Sequence, residues 1–95
     1  MDAALQKAIE ELIGTRFEGA TIDRIDFEAT EDSDGDPVLW ITIVFDSEMS
    51  QIKSGRMAGL ARHLRPALIE QKEERFPMVR FMSKRDHDRL DHVAA

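Results

Sequence analysis

The sequence predicts an α+β domain: a three-stranded sheet with helices packed mainly on one face, in the order α-β-β-α-β-α. Three observations carry this expectation. The stretch Val38–Phe45, VLWITIVF, is apolar at nearly every position, as a central strand covered on both sides would be. Two segments, Leu5–Ile13 and Met57–Leu68, instead place apolar residues at helical spacing. Between and after them lie ATIDRIDFEAT and MVRFM, which alternate like half-buried strands.

Taken in order, Asp2 can cap a first helix carrying Leu5, Ile9, Leu12 and Ile13, and Gly14 is expected to stop it. A turn around Gly19 leads into the first strand. There Ile25, Phe27 and Ala29 alternate while Ile22 is one residue out of phase, so a bulge near Asp23–Arg24 is expected. EDSDGDP supplies the Asp-Gly and Pro signals of a hairpin connection. Residues 46–53 read as a polar loop, and Ser54 as the cap of a second helix containing Met57, Leu60, Ala61, Leu64 and Leu68. Pro66 is expected to interrupt that helix, either as a kink or in the first turn of a new helix, because an interior proline removes a backbone hydrogen bond and costs about 3 kcal/mol. Phe76-Pro77 closes the helical region, and Met78–Met82 forms a short third strand. Ser83-Lys84-Arg85-Asp86 resembles a capping box for a terminal helix with Leu90 and Val93. The two-sided second strand should be central, giving strand order 1-2-3 with a right-handed crossover into the third.

With 95 residues, one domain is expected. The chain lacks cysteine, and no run approaches the ~20 apolar residues of a membrane helix, so a cytoplasmic protein without a membrane partner is anticipated. Net charge is -6, unfavourable for nucleic acid or anionic lipid. The charge is uneven: residues 1–50 hold thirteen acids and three bases, residues 51–95 ten bases and six acids. Such halves could dock within or between chains.

Chemical motifs are sparse. Placing Gly35 at the sixth position of a calcium loop puts Thr30 first and Ile41 twelfth, where an acid and a glutamate are needed, so a solvated hairpin tip is the better reading. Glu70-Gln71-Lys72 matches half of a nuclease signature but falls in a helical pattern. His87 and Asp91, and Asp88 and His92, are spaced for helical pairing, whereas the two histidines diverge, so no metal or other cofactor is expected. Arg56, Arg62, His63 and Arg65 form the most basic local cluster, a candidate anion or RNA site.

The remaining candidate is a surface. With helices over Leu39 and Ile41, the opposite sheet face would present Val38, Trp40, Val44, Met78, Arg80 and Met82, rimmed by Arg24, Asp26 and Glu28. An apolar centre with tryptophan and methionine inside a charged rim has the composition of a protein interface. The expected function is therefore a non-catalytic interaction module, pairing with a second copy as a homodimer or with another protein. The alternative is that the terminal helix folds back over this face through Leu90 and Val93.

Helix, hairpin, interrupted helix and third strand in this order resemble the type II KH layout over roughly residues 3–83, in particular the ribosome-binding factor A family. That resemblance implies a nucleic-acid or ribosome-associated factor. Its GxxG clamp is absent, Arg62-His63-Leu64-Arg65 standing near the expected helix junction. LARHLRPALIE followed by ERFP resembles a group of short, functionally unassigned bacterial proteins; the association of that group with small operons of the toxin–antitoxin type implies an antitoxin-like partner role.

Overall fold

The computed structural model describes residues 2–46, 52 and 54–94, with residues 90–94 described for their backbone only. Helix α1 spans Ala3–Arg16, strands β1 and β2 span Ile22–Glu31 and Pro37–Phe45, and helices α2 and α3 span Ser54–Ala58 and Leu60–Glu70. Strand β3, Phe76–Ser83, and helix α4, Lys84–Ala94, complete the chain. The result is the expected α+β arrangement.

Strand β2 is central, antiparallel to β1 and parallel to β3. The register shifts between Ile22 and Arg24, so Ile22 joins Ile25 and Phe27 against the core. This bulge is the one the phase of the isoleucines required. At the hairpin, Asp32 Oδ1 accepts from the amides of Asp34 and Asp36, both at 2.9 Å, and Gly35 takes a positive φ of 84°. Such a turn needs a residue without a Cβ at that point.

One face of the sheet, Leu39, Ile41, Ile43 and Phe45, is wholly buried against Leu5, Ile9 and Ile13 of α1 and Leu60, Leu64 and Leu68 of α3. Phe17, Phe45 and Phe81 close one end: Phe17 meets both other rings edge-on, at centroid distances of 5.2 and 5.9 Å. Ile52 is also buried in this core, although its neighbourhood reads as polar loop; positions 47–51 and 53 lie outside the described residues.

Two helix boundaries differ from the sequence reading. Gly14 does not end α1, which continues to Arg16 and is closed by the Phe17 amide donating to Ile13 O at 3.0 Å. The interruption of the second helix falls at Gly59, whereas Pro66 sits inside α3. Pro66 and Arg62, whose carbonyl the missing amide would have used, are both exposed, so water can serve that carbonyl. Residues 62–65 accordingly lie within α3 and not at the helix junction.

The cause of the break is Arg16. Its Nε donates to Arg56 O at 2.6 Å, occupying the carbonyl that a continuous helix would give to the Leu60 amide. Arg56 returns the contact, its Nη1 donating to Arg16 O at 2.6 Å at the end of α1. The Gly59 amide reaches Gly55 O only at 3.4 Å, while its carbonyl accepts normally from His63 at 3.1 Å. A Cβ on Gly59 would stand 2.6 Å from Arg16 Nη2.

This geometry makes the effect of Gly59→Ala depend on Arg16. In the native background the new methyl displaces the guanidinium and lowers stability; with Arg16→Ala the same change raises it by up to about 1 kcal/mol through helix propensity. A double-mutant cycle by denaturant unfolding should give a coupling of about 1 kcal/mol, and additive effects would show that Arg16 does not hold the kink.

Candidate functional site

The outer face of the sheet is organised in four rows running across the strands. Pairing register places Thr30, Val38 and Phe76 in the row nearest the β1–β2 hairpin, then Glu28, Trp40 and Met78. Asp26, Thr42 and Arg80 follow, and Arg24, Val44 and Met82 form the row at the far end. Side chains in these rows share a face because strand residues alternate.

Helix α4 closes the far end. Ser83 Oγ accepts from the Asp86 amide at 3.1 Å, realising the expected cap and turning the chain at the end of β3. The helix then packs on β3 and β2 and meets β1 through polar contacts. Lys84 Nζ lies 3.8 Å from Asp23, and His87 Nε2 lies 3.5 Å from Asp26 Oδ2. Arg24 pairs with Asp26 at 3.2 Å and approaches the edge of the His87 ring, 2.7 Å from Nδ1 and 2.5 Å from Nε2. Arginine can only donate, so the ring nitrogen that bonds Arg24 must be the unprotonated one. His87 therefore meets β1 and is 12% exposed, a contact that its spacing to Asp91 does not reveal. The side chains of Leu90, Asp91, His92 and Val93 lie outside the described residues.

The two proposed coverings of this face thus each account for part of it. Val44, expected on a free surface, is 0% exposed, because α4 turns over its end of the sheet. Val38 is also buried, and Met82 is half-buried. At the hairpin end, Trp40 and Met78 are half-buried and Phe76 is 59% exposed. Arg80 is exposed and stacks on the Trp40 ring with Cζ 4.6 Å from its centroid, a cation–π contact at the boundary between the two ends. Val38, Trp40, Phe76 and Met78 line a hollow of 440 Å³, with Glu31 and Asp32 on its wall.

Phe76 is the residue that sequence reasoning missed. Its parity with Met78 and Met82 would have placed it on this face, had the strand not been started after Pro77. Pro77 stands second in an edge strand, a position where a missing amide is tolerated.

The basic cluster is dispersed. Arg56 is engaged with α1, whereas Arg62 and His63 line a larger groove of 890 Å³ between α1 and α3 together with Thr15 and Arg16. Glu11 and Glu70 line the same groove, offsetting its positive charge, and Arg65 is exposed outside it. Size alone therefore does not identify the site. Carboxylates of Asp32, Asp34 and Asp36 approach within 4.8 Å of one another, a closeness that the hairpin's own amide bonds to Asp32 produce. Glu70-Gln71-Lys72 is a helix terminus: Lys72 has a φ of 58°, and the amides of Lys72 and Glu73 return to Ile69 O and Leu68 O.

No protein-family model matches this chain, and comparison with curated proteins and with solved structures likewise yields no match. Among the described residues no helix is long and apolar enough to cross a membrane.

If His87 holds α4 across the sheet, His87→Ala should loosen that helix and little else. Hydrogen exchange is expected to accelerate in α4 amides while β2 stays protected, with global stability reduced by no more than about 1 kcal/mol. Equal acceleration throughout the sheet would show that the contact supports the whole fold instead.

Proposed function

We propose that this chain is a non-catalytic protein-interaction module that docks a partner through the open, hairpin end of its outer sheet face. The single observation supporting this reading is the association of exposed Phe76 with half-buried Trp40 and Met78 around one hollow, beside a half-face that α4 already closes. Large apolar side chains gathered in a concavity lose water together when a partner binds, and aromatic residues in such settings supply much of the binding energy. Isolated exposure carries no such meaning: Ile69 on α3 is 74% exposed and outside this hollow.

A KH-like nucleic-acid or ribosome-associated factor is the second reading. It is supported by the kinked helix pair α2–α3 lying between the hairpin and β3, as the resemblance requires. Its direct-binding form would use Arg62 and His63 in the groove beside α1. RNA affinity should then fall steeply with salt and drop further when Arg62 and His63 are replaced together; no binding at low salt removes it.

Exposed Phe76 and Ile69 supply the control for the main reading. Phe76→Ser is expected to leave the circular dichroism spectrum and melting curve nearly unchanged while abolishing association, whereas Ile69→Ser leaves association intact. Sedimentation over a wide concentration range reads self-association, and quantitative affinity capture from the source cells reads other partners. Association lost with Ile69→Ser and kept with Phe76→Ser would move the docking surface to the helices.

A further inference from the structure

Charge around the open end identifies the kind of partner it fits. Glu31 and Asp32 form part of the hollow's wall, Glu28 stands opposite Trp40, and Asp34 and Asp36 occupy the adjoining turn. Three of these carboxylates lie within 4.8 Å of one another, concentrating negative potential beside an apolar seat. Of the nearby cations, Arg80 is stacked on Trp40, and Arg75, directly before Phe76, lies 3.7 Å from Glu73.

We infer that the occupant is a basic peptide segment of another protein, with one large apolar side chain seated on Val38, Trp40, Phe76 and Met78 and flanking lysine or arginine residues meeting Glu31 and Asp32. The inference rests on the docking reading above and adds the chemistry of the partner. A hollow of 440 Å³ falls within the range of roughly 300–1,000 Å³ typical of ligand sites, enough for a large side chain and adjacent backbone. The sign of the wall repels nucleic acid and anionic lipid. A second copy is disfavoured for the same reason: it carries the same acidic hairpin and the same net charge of -6.

Trp40 is the sole tryptophan, so its fluorescence reports directly from the seat. The probes are short synthetic peptides with a central phenylalanine flanked by lysines, the same peptides with flanking glutamates, and lysine peptides with a central serine. The phenylalanine–lysine peptide should shift Trp40 emission saturably, weaken about tenfold or more between about 50 and 300 mM salt, and lose most of its affinity on Phe76→Ser. Glu31→Lys, a surface change that spares the Asp32 turn, should weaken it severalfold. The serine peptide should not bind, and the glutamate peptide should bind about tenfold more weakly or not at all.

Equal binding of lysine and glutamate peptides at the same Phe76-dependent site would overturn the charge assignment while sparing the docking reading. A dimer dissociated by Phe76→Ser, with no peptide bound, would make the occupant a second copy and also overturn the inference. Basic-peptide binding insensitive to Phe76→Ser would place the contact elsewhere and count against both. Silence of all three peptides up to about millimolar concentration, with no Phe76-dependent association of any kind, would reject the inference and the docking surface together.

Discussion

The fold depends on the requirement that β2 be paired along both edges and wholly covered on its inner face. Its alternate residues Leu39, Ile41, Ile43 and Phe45 are wholly buried on one side, and Val38 and Val44 are buried on the other. A strand so apolar cannot stand at an edge without inviting aggregation. The tight hairpin supplies one antiparallel neighbour, β1. The other neighbour is parallel, which obliges the chain to cross over between β2 and β3, and α2 and α3 form that connection. Covering the inner face and completing the sheet are consequently one event. Among the described elements, the outer face is left to α4.

Features determined by short spans of chain were legible in the sequence. The bulge at Ile22/Arg24, the Asp2 cap, the Gly35 turn and the Ser83 cap each follow from a few adjacent residues, and the central place of β2 follows from its two-sided pattern. The helix break was misplaced because its cause lies forty positions away. Pro66 is conspicuous yet tolerated on a solvated side of α3, whereas Gly59 is inconspicuous until Arg16 is seen occupying the Arg56 carbonyl. Propensity describes a helix by itself; here a side chain from α1 competes for its hydrogen-bond ladder.

The candidate surface was legible in part for the same reason. Parity along β2 and β3 correctly assigned Trp40, Met78, Arg80 and Met82 to the outer side. Whether that side was covered depended on α4, and α4 is held by His87 against Arg24 and Asp26, sixty-odd positions earlier. No local pattern reports such a contact. Phe76 was concealed by Pro77, whose usual meaning is the end of regular structure and whose meaning here is an edge strand.

Geometry explains why the face is covered at one end only. From Val44 to Val38 is six residues, roughly 20 Å along the strand, while a helix with its side chains is about 10–12 Å wide. A helix lying along the strands could have covered the whole length. Helix α4 instead begins directly after Ser83, beside Phe45, and its fourth residue already meets Arg24 and Asp26 on the far strand. Its first turn therefore stands over the end of the sheet farthest from the hairpin. Val44 is buried at that end, whereas toward the hairpin Trp40 and Met78 are half-buried and Phe76 is exposed. The polar latch fixes this placement, because Arg24 and Asp26 belong to the two rows farthest from the hairpin. The apolar hollow at the hairpin end is thus a consequence of where the latch stands, and the acidic turn beside it follows from the hairpin that pairs β1 with β2. Both properties that suit the hollow to a basic, apolar segment arise from elements whose first task is to build the sheet.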